Sequence, residues 1–134
     1  MTRYGFTGSQ LGFRISIISK LISSLNLTDD DVIITGACIG IDSQVSHYIK
    51  KHYPNVQQLI IVPSNLSRVD KSVFINGKVR FMPVNTGYRK RNEAIVDESD
   101  KVIAFWSGKK IYSGTYMTMN IAKKQNKLYE VVRK

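Results

Sequence analysis

Apolar residues follow two rhythms along this chain. Short, nearly continuous runs occur at residues 4–7, 31–35, 59–62, 79–83, 101–106 and 128–132. Each has the length and make-up of a strand covered on both faces. Between them the spacing changes to three and four. Ile15, Ile18, Ile22 and Leu25 form one amphipathic stripe, predicting a helix over residues 11–25. Ile41, Val45, Tyr48 and Ile49 predict a second that ends near Pro54, and residues 88–98 and 114–125 predict two more. Gly8-Ser9, the aspartates at 29–31 and Pro63 punctuate the pattern as turns. Residues 64–77 have no period and read as a longer excursion.

Strands that are uniformly apolar and alternate with helices require a mostly parallel sheet with helices on both faces. The expectation is one Rossmann-like, doubly wound α/β domain over residues 1–134, with five or six strands. In such a sheet, ligands lie beyond the carboxyl ends of the strands. This ranks the loops: those that follow strands, at 7–10, 35–42, from Pro63 onward and 107–115, are the candidates for chemistry.

All are rich in small residues. Gly8-Ser9, Gly36-Ala37, Gly40 and Ser113-Gly114-Thr115 fall before predicted helices. Small side chains let backbone amides approach an anion, and a helix N-terminus adds about half a positive charge. Tight turns alone would account for any one of these loops. Three converging on one sheet edge point to a ligand site. Neither G-x-x-x-x-G-K-[ST] nor G-x-G-x-x-G is present, which disfavours a P-loop triphosphatase or a nicotinamide dehydrogenase.

Charge sharpens the picture. The 134 residues carry 20 Lys+Arg and 10 Asp+Glu, a net of +10. Residues 1–67 hold five basic and four acidic residues, whereas 68–134 hold fifteen and six. An anionic partner is expected, either a nucleotide-like molecule or single-stranded nucleic acid. Arg89, Lys90 and Arg91 crowd the start of the predicted 88–98 helix, where cations oppose the helix dipole unless an anion sits among them. Arg91 and Asn92 are the expected direct contacts, and Trp106 and Tyr112 flank a loop where they could stack on a base.

No apolar run approaches the ~20 residues of a membrane span, and no membrane partner is expected. One cysteine, Cys38, forms no internal disulfide and suggests a cytoplasmic setting. Neither His47 nor His52 is spaced to activate it or to build a metal site with it. No cofactor, metal or catalytic residue is expected.

The segments TGSQ (7–10), TGACIGID (35–42), RNEAIVDESDKVIAFW (91–106) and SGTYMTMNIAKKQNKLYEVV (113–132) resemble, in this order, the Smf/DprA–LOG superfamily of Rossmann-like domains. The resemblance is to the G-S-R turn, S-G-x-A-x-G-I-D loop, R-N-R helix start and S-G-[ST] segment of its DNA-processing protein A branch. It implies a ligand site built from Gly8, Ser9, Gly36, Ala37, Gly40, Asp42, Arg91, Asn92, Ser113, Gly114 and Thr115. Asp42 would cap its helix or hold a ribose hydroxyl, and the last three would cradle phosphate. It implies binding of a nucleotide or nucleotide-derived signal, or of single-stranded DNA, and a homodimer through the helices. The second arginine of R-N-R is Glu93 here, and Ser46 stands at the branch's histidine. The superfamily's Lonely Guy phosphoribohydrolases place a catalytic glutamate where this chain has Thr118, so release of a base is not expected.

Overall fold

The computed structural model describes residues 1–108 and 113–133. Its strands are β1 (Arg3–Gly8), β2 (Val32–Thr35), β3 (Gln57–Val62), β4 (Lys78–Phe81), β5 (Lys101–Trp106) and β6 (Leu128–Arg133). The helices are α1 (Ile15–Ser24), α2 (Ile41–His52), α3 (Tyr88–Glu98) and α4 (Gly114–Lys124), with a 3₁₀ helix at Lys71–Asn76. All six strands form one sheet in the order β4-β3-β2-β1-β5-β6, and every pairing is parallel. This is the doubly wound, Rossmann-like α/β architecture.

Successive strand residues point to opposite faces, and the core divides accordingly. Phe6, Ile33, Ile103 and Phe105 face one way and pack on Ile18 and Ile22 of α1 and on Ile41, Val45 and Ile49 of α2. Ile34, Leu59 and Ile61 face the other way, against Ile95 of α3. Val102 shares that second face with Val96, Ile121 and Ala122 of α3 and α4. Burying each of these large side chains stabilises the fold by about 1.5–3 kcal/mol. Uniformly apolar strands are thus required, because neither face of the central strands meets water.

Two details depart from the sequence expectation. The first helix starts at Ile15 rather than at residue 11, because Gly12 has φ +74° and the Gln44 side chain grips the backbone of Phe13. Its Oε1 accepts the Phe13 amide at 3.0 Å and its Nε2 donates to the Phe13 carbonyl at 2.7 Å. The aperiodic excursion is also ordered by partners far away in sequence. Ile39 N donates to Arg68 O (2.9 Å) and Asp70 N to Ala37 O (2.8 Å), zipping residues 68–70 onto the loop after β2. Among the described residues, no helix is long and apolar enough to cross a membrane.

Candidate functional site

From β1 the chain turns onto one face of the sheet, and from the neighbouring β5 it turns onto the other. A doubly wound sheet opens a crevice at such a switch point. Here it is a cleft of about 1190 Å³, walled by residues 7–11 at the end of β1 and beyond it, Cys38 and Asp42 after β2, Arg68, the first turn of α3, Trp106 and Ser107 at the end of β5, and one flank of α4.

Eight of the expected residues line it: Gly8, Ser9, Asp42, Arg91, Asn92, Ser113, Gly114 and Thr115. The other three stand behind it. Gly36 accepts Arg91 Nη1 on its carbonyl at 2.6 Å. A methyl group on Gly36 would overlap Nη1 and come within 2.7 Å of Arg91 Cζ and 2.9 Å of Asp42 Oδ2, so glycine is required by the guanidinium lying against it. Ala37, with φ +64°, holds the amide of Asp70. Gly40 precedes α2 with φ +94°, packed against the Ser9 carbonyl and 2.6 Å from Gln10 Cα at its Cβ position. Of the three, Gly40 is the one whose small size lets the β2 loop pack on the Ser9–Gln10 backbone after β1.

Arg91 is the centre of the floor. It is 7% exposed, bonded to Gly36 O, to Asn92 Oδ1 through Nε (2.9 Å) and to Cys38 Sγ (3.6 Å). Its guanidinium carbon lies 5.6 Å from the centre of the Tyr88 ring. Asp42, in the first turn of α2, accepts the Cys38 amide at 3.2 Å, so its carboxylate closes the turn from within. Burial pushes the Asp42 carboxyl above its ordinary pKa, against the pull of the Arg91 charge and the amides of Cys38 and Gly36. Burial, followed by the Asp42 charge, raises the Cys38 thiol, the reverse of what a nucleophile needs. His47 engages Ser72 Oγ (2.9 Å) and Asn76 (3.1 Å) instead. Among the described residues, no group of three or more His, Cys, Asp or Glu is placed to hold a metal ion.

Two helix N-termini face the cleft. Ser113 caps α4 by accepting Tyr116 N at 3.1 Å, which leaves the amides of Gly114 and Thr115 without intrahelical acceptors. At α3, Gly87 supplies no side-chain cap and the first turn has no acidic residue. Among the described residues, the lining carries Arg68, Arg89, Arg91, Lys123 and Lys124 against the single carboxylate of Asp42. Arg68, Arg89 and the two lysines were not singled out as site residues from the sequence. Arg68 sits in the aperiodic excursion, donating to Gln10 Oε1 at 2.8 Å. Tyr116, Asn120, Lys123 and Lys124 share one helix flank by their three- and four-residue spacing, which is the signal that could have found them. Trp106 is 7% exposed, its ring stacked on Tyr116 at 5.8 Å and its face 4.9 Å from the Arg133 guanidinium, so the ring is engaged within the protein. Tyr112 lies outside the described residues. Thr118 is fully buried and donates to Gly114 O at 2.8 Å, within its own helix.

Fold and cleft together define a Rossmann-like α/β domain with a basic crevice at its switch point. No protein-family model matches the sequence, and no curated protein matches it. Solved structures do match. DNA processing protein A from Streptococcus pneumoniae aligns over 98% of this chain with TM-score 0.74 and 17% identity. A proposed molybdenum carrier protein from Syntrophus aciditrophicus SB aligns over 76% with TM-score 0.62 and 24% identity. The chain spans 50% and 62% of those two proteins, respectively. At these identities the likeness is one of fold: the chain shares the Rossmann-like α/β fold of those two proteins.

Proposed function

We propose that this chain binds a nucleotide or nucleotide-derived molecule in the cleft between β1 and β5, as a sensor or sequestering protein. The observation that carries the reading is the lining: five cations to one carboxylate, around two helix N-termini that point at the same space. The free amides of Gly114 and Thr115 and the Ser113 hydroxyl would cradle a phosphoryl group. Arg91, with Asn92 beside it, would supply charge from the floor, while Gly8 and Ser9 approach from the opposite wall.

Gly114→Glu tests the assignment. The nearest atom to a Cβ at position 114 is Asn92 Nδ2 at 3.9 Å, so a side chain can start there without a clash, and a carboxylate at a helix N-terminus is favourable to the fold. It would occupy and repel the phosphate position. Calorimetric titration with nucleoside 5′-monophosphates should show binding to the wild type and none to Gly114→Glu, whose melting temperature is unchanged or higher. A variant that binds as the wild type does would remove the phosphate from this position.

The basic, exposed residues Arg89, Lys123 and Lys124 along the rim favour a second reading, single-stranded nucleic acid, in keeping with the name of the DNA processing protein that shares the fold. That reading requires affinity for oligonucleotides to fall steeply with salt, with log K linear in log salt concentration. Affinity that is flat with salt, or restricted to mononucleotides, contradicts it. Molybdate belongs in the same titration, since the other neighbour is described as a molybdenum carrier. Release of a base is not proposed: the position of the Lonely Guy glutamate is the buried Thr118, and Glu93 is spent on Arg89 (3.3 Å) and Lys90 (3.7 Å).

A further inference from the structure

The charges around the cleft are answered unevenly. Arg91 lies beside Asp42, and Arg89 pairs with Glu93 at 3.3 Å. For Arg68, Lys123 and Lys124, no carboxylate lies within ion-pair distance among the described residues. A phosphomonoester at the α4 N-terminus brings at most two negative charges, and the helix dipole and Arg91 already meet it there. The unanswered cations are in excess of what one such group neutralises.

They are also set apart from it. Gly114 and Lys123 both line the cleft but are nine residues apart on α4, about 13 Å along the axis. Lysine side chains lean toward the helix N-terminus, which shortens the gap without closing it. Phosphoryl groups that share a bridging oxygen cannot serve both ends of this flank. Between them the flank presents Tyr116 and Asn120 alongside Met117 and Ile121.

Building on the nucleotide reading, we infer that the ligand carries at least two phosphoryl groups held apart in the molecule, as in a nucleoside 3′,5′-bisphosphate or two linked nucleotides. One group sits at the N-terminus of α4 and the other at Lys123 and Lys124.

The test is calorimetric titration of the full chain with the 5′-monophosphate, 5′-diphosphate and 3′,5′-bisphosphate of each of adenosine, guanosine, cytidine and uridine. With at least one base, the bisphosphate should bind about tenfold more tightly than both other forms, the difference of one charge-assisted contact. Lys123→Gln with Lys124→Gln, its fold checked by thermal melting, should bring the bisphosphate-to-monophosphate affinity ratio close to one. Equal affinities of the mono- and bisphosphates in the wild type would overturn the inference and leave the nucleotide reading standing. So would an advantage that survives in the double variant, which would assign the lysines to the helix C-terminus alone. If no monophosphate or bisphosphate binds, the nucleotide reading itself falls, and this inference with it.

Discussion

Gly36→Ala isolates the contact on which the cleft floor depends. The added methyl would overlap Arg91 Nη1 and stand 2.9 Å from Asp42 Oδ2, so the guanidinium must leave the Gly36 carbonyl that it now meets at 2.6 Å. A hydrogen bond to a charged group contributes about 1.5–3 kcal/mol. The guanidinium loses this bond while remaining buried, so the expected loss is about 3 kcal/mol, the upper end of that range. For a chain of 134 residues this corresponds to a melting temperature lower by about 10 °C. Gly114→Ala is the matched comparison. Its methyl would meet nothing closer than 3.9 Å, and its melting temperature should stay within about 2 °C of the wild type. The measurement is differential scanning calorimetry on both variants. If Gly36→Ala melts within about 2 °C of the wild type, Arg91 is not held as described and the account of the floor is wrong.

Other consequences are checked in the same way. Arg91→Ala should cost about 1.5–3 kcal/mol in urea unfolding by leaving the Gly36 carbonyl and the Asn92 amide oxygen without the guanidinium, so loss of ligand affinity in that variant cannot be read as loss of a contact alone. Gly40→Ala should also destabilise, because φ +94° is unfavourable for alanine and its methyl would overlap the Ser9 carbonyl; an unchanged melting curve would contradict this. Thr118→Glu should lower the melting temperature without producing free base from monophosphates, since the position is fully buried. Asp31, Asp70 and Glu98 have lowered pKa values, held down chiefly by the Thr28 amide, the Ser43 hydroxyl and Arg80 respectively. The unfolded chain therefore takes up these protons first as pH falls. Stability present above about pH 4 should be lost on acidification through the folded-state values, and Asp31→Asn should make that loss shallower in melts run from pH 7 down to pH 3.

Much of the fold was legible because its driving force is local in sequence. Ile33-Ile34 and Leu59-Ile60-Ile61-Val62 are apolar at every position, and only a strand buried on both faces needs that. The α1 start was misread because the decision there is made by Gln44, thirty-one residues from Phe13. Residues 64–77 carried no period because part of their order comes from pairing of residues 68–70 with residues 37–39, the stretch that carries Arg68. The glycines of the β2 loop were visible as a cluster. That Gly36 and Gly40 accommodate Arg91 and the Ser9–Gln10 backbone, rather than lining the cleft, depends on contacts no spacing encodes.

Whether the switch-point cleft receives the phosphate of a nucleotide is read by backbone amide NMR of the labelled protein, titrated with the nucleoside monophosphate that binds best. With the phosphate in the cleft, the largest shifts should fall together on Gly8, Ser9, Arg91, Gly114 and Thr115, with saturation at one ligand per chain. Shifts concentrated on the exposed β4 edge around Lys78 and Arg80, or the absence of any saturable shift, would contradict it.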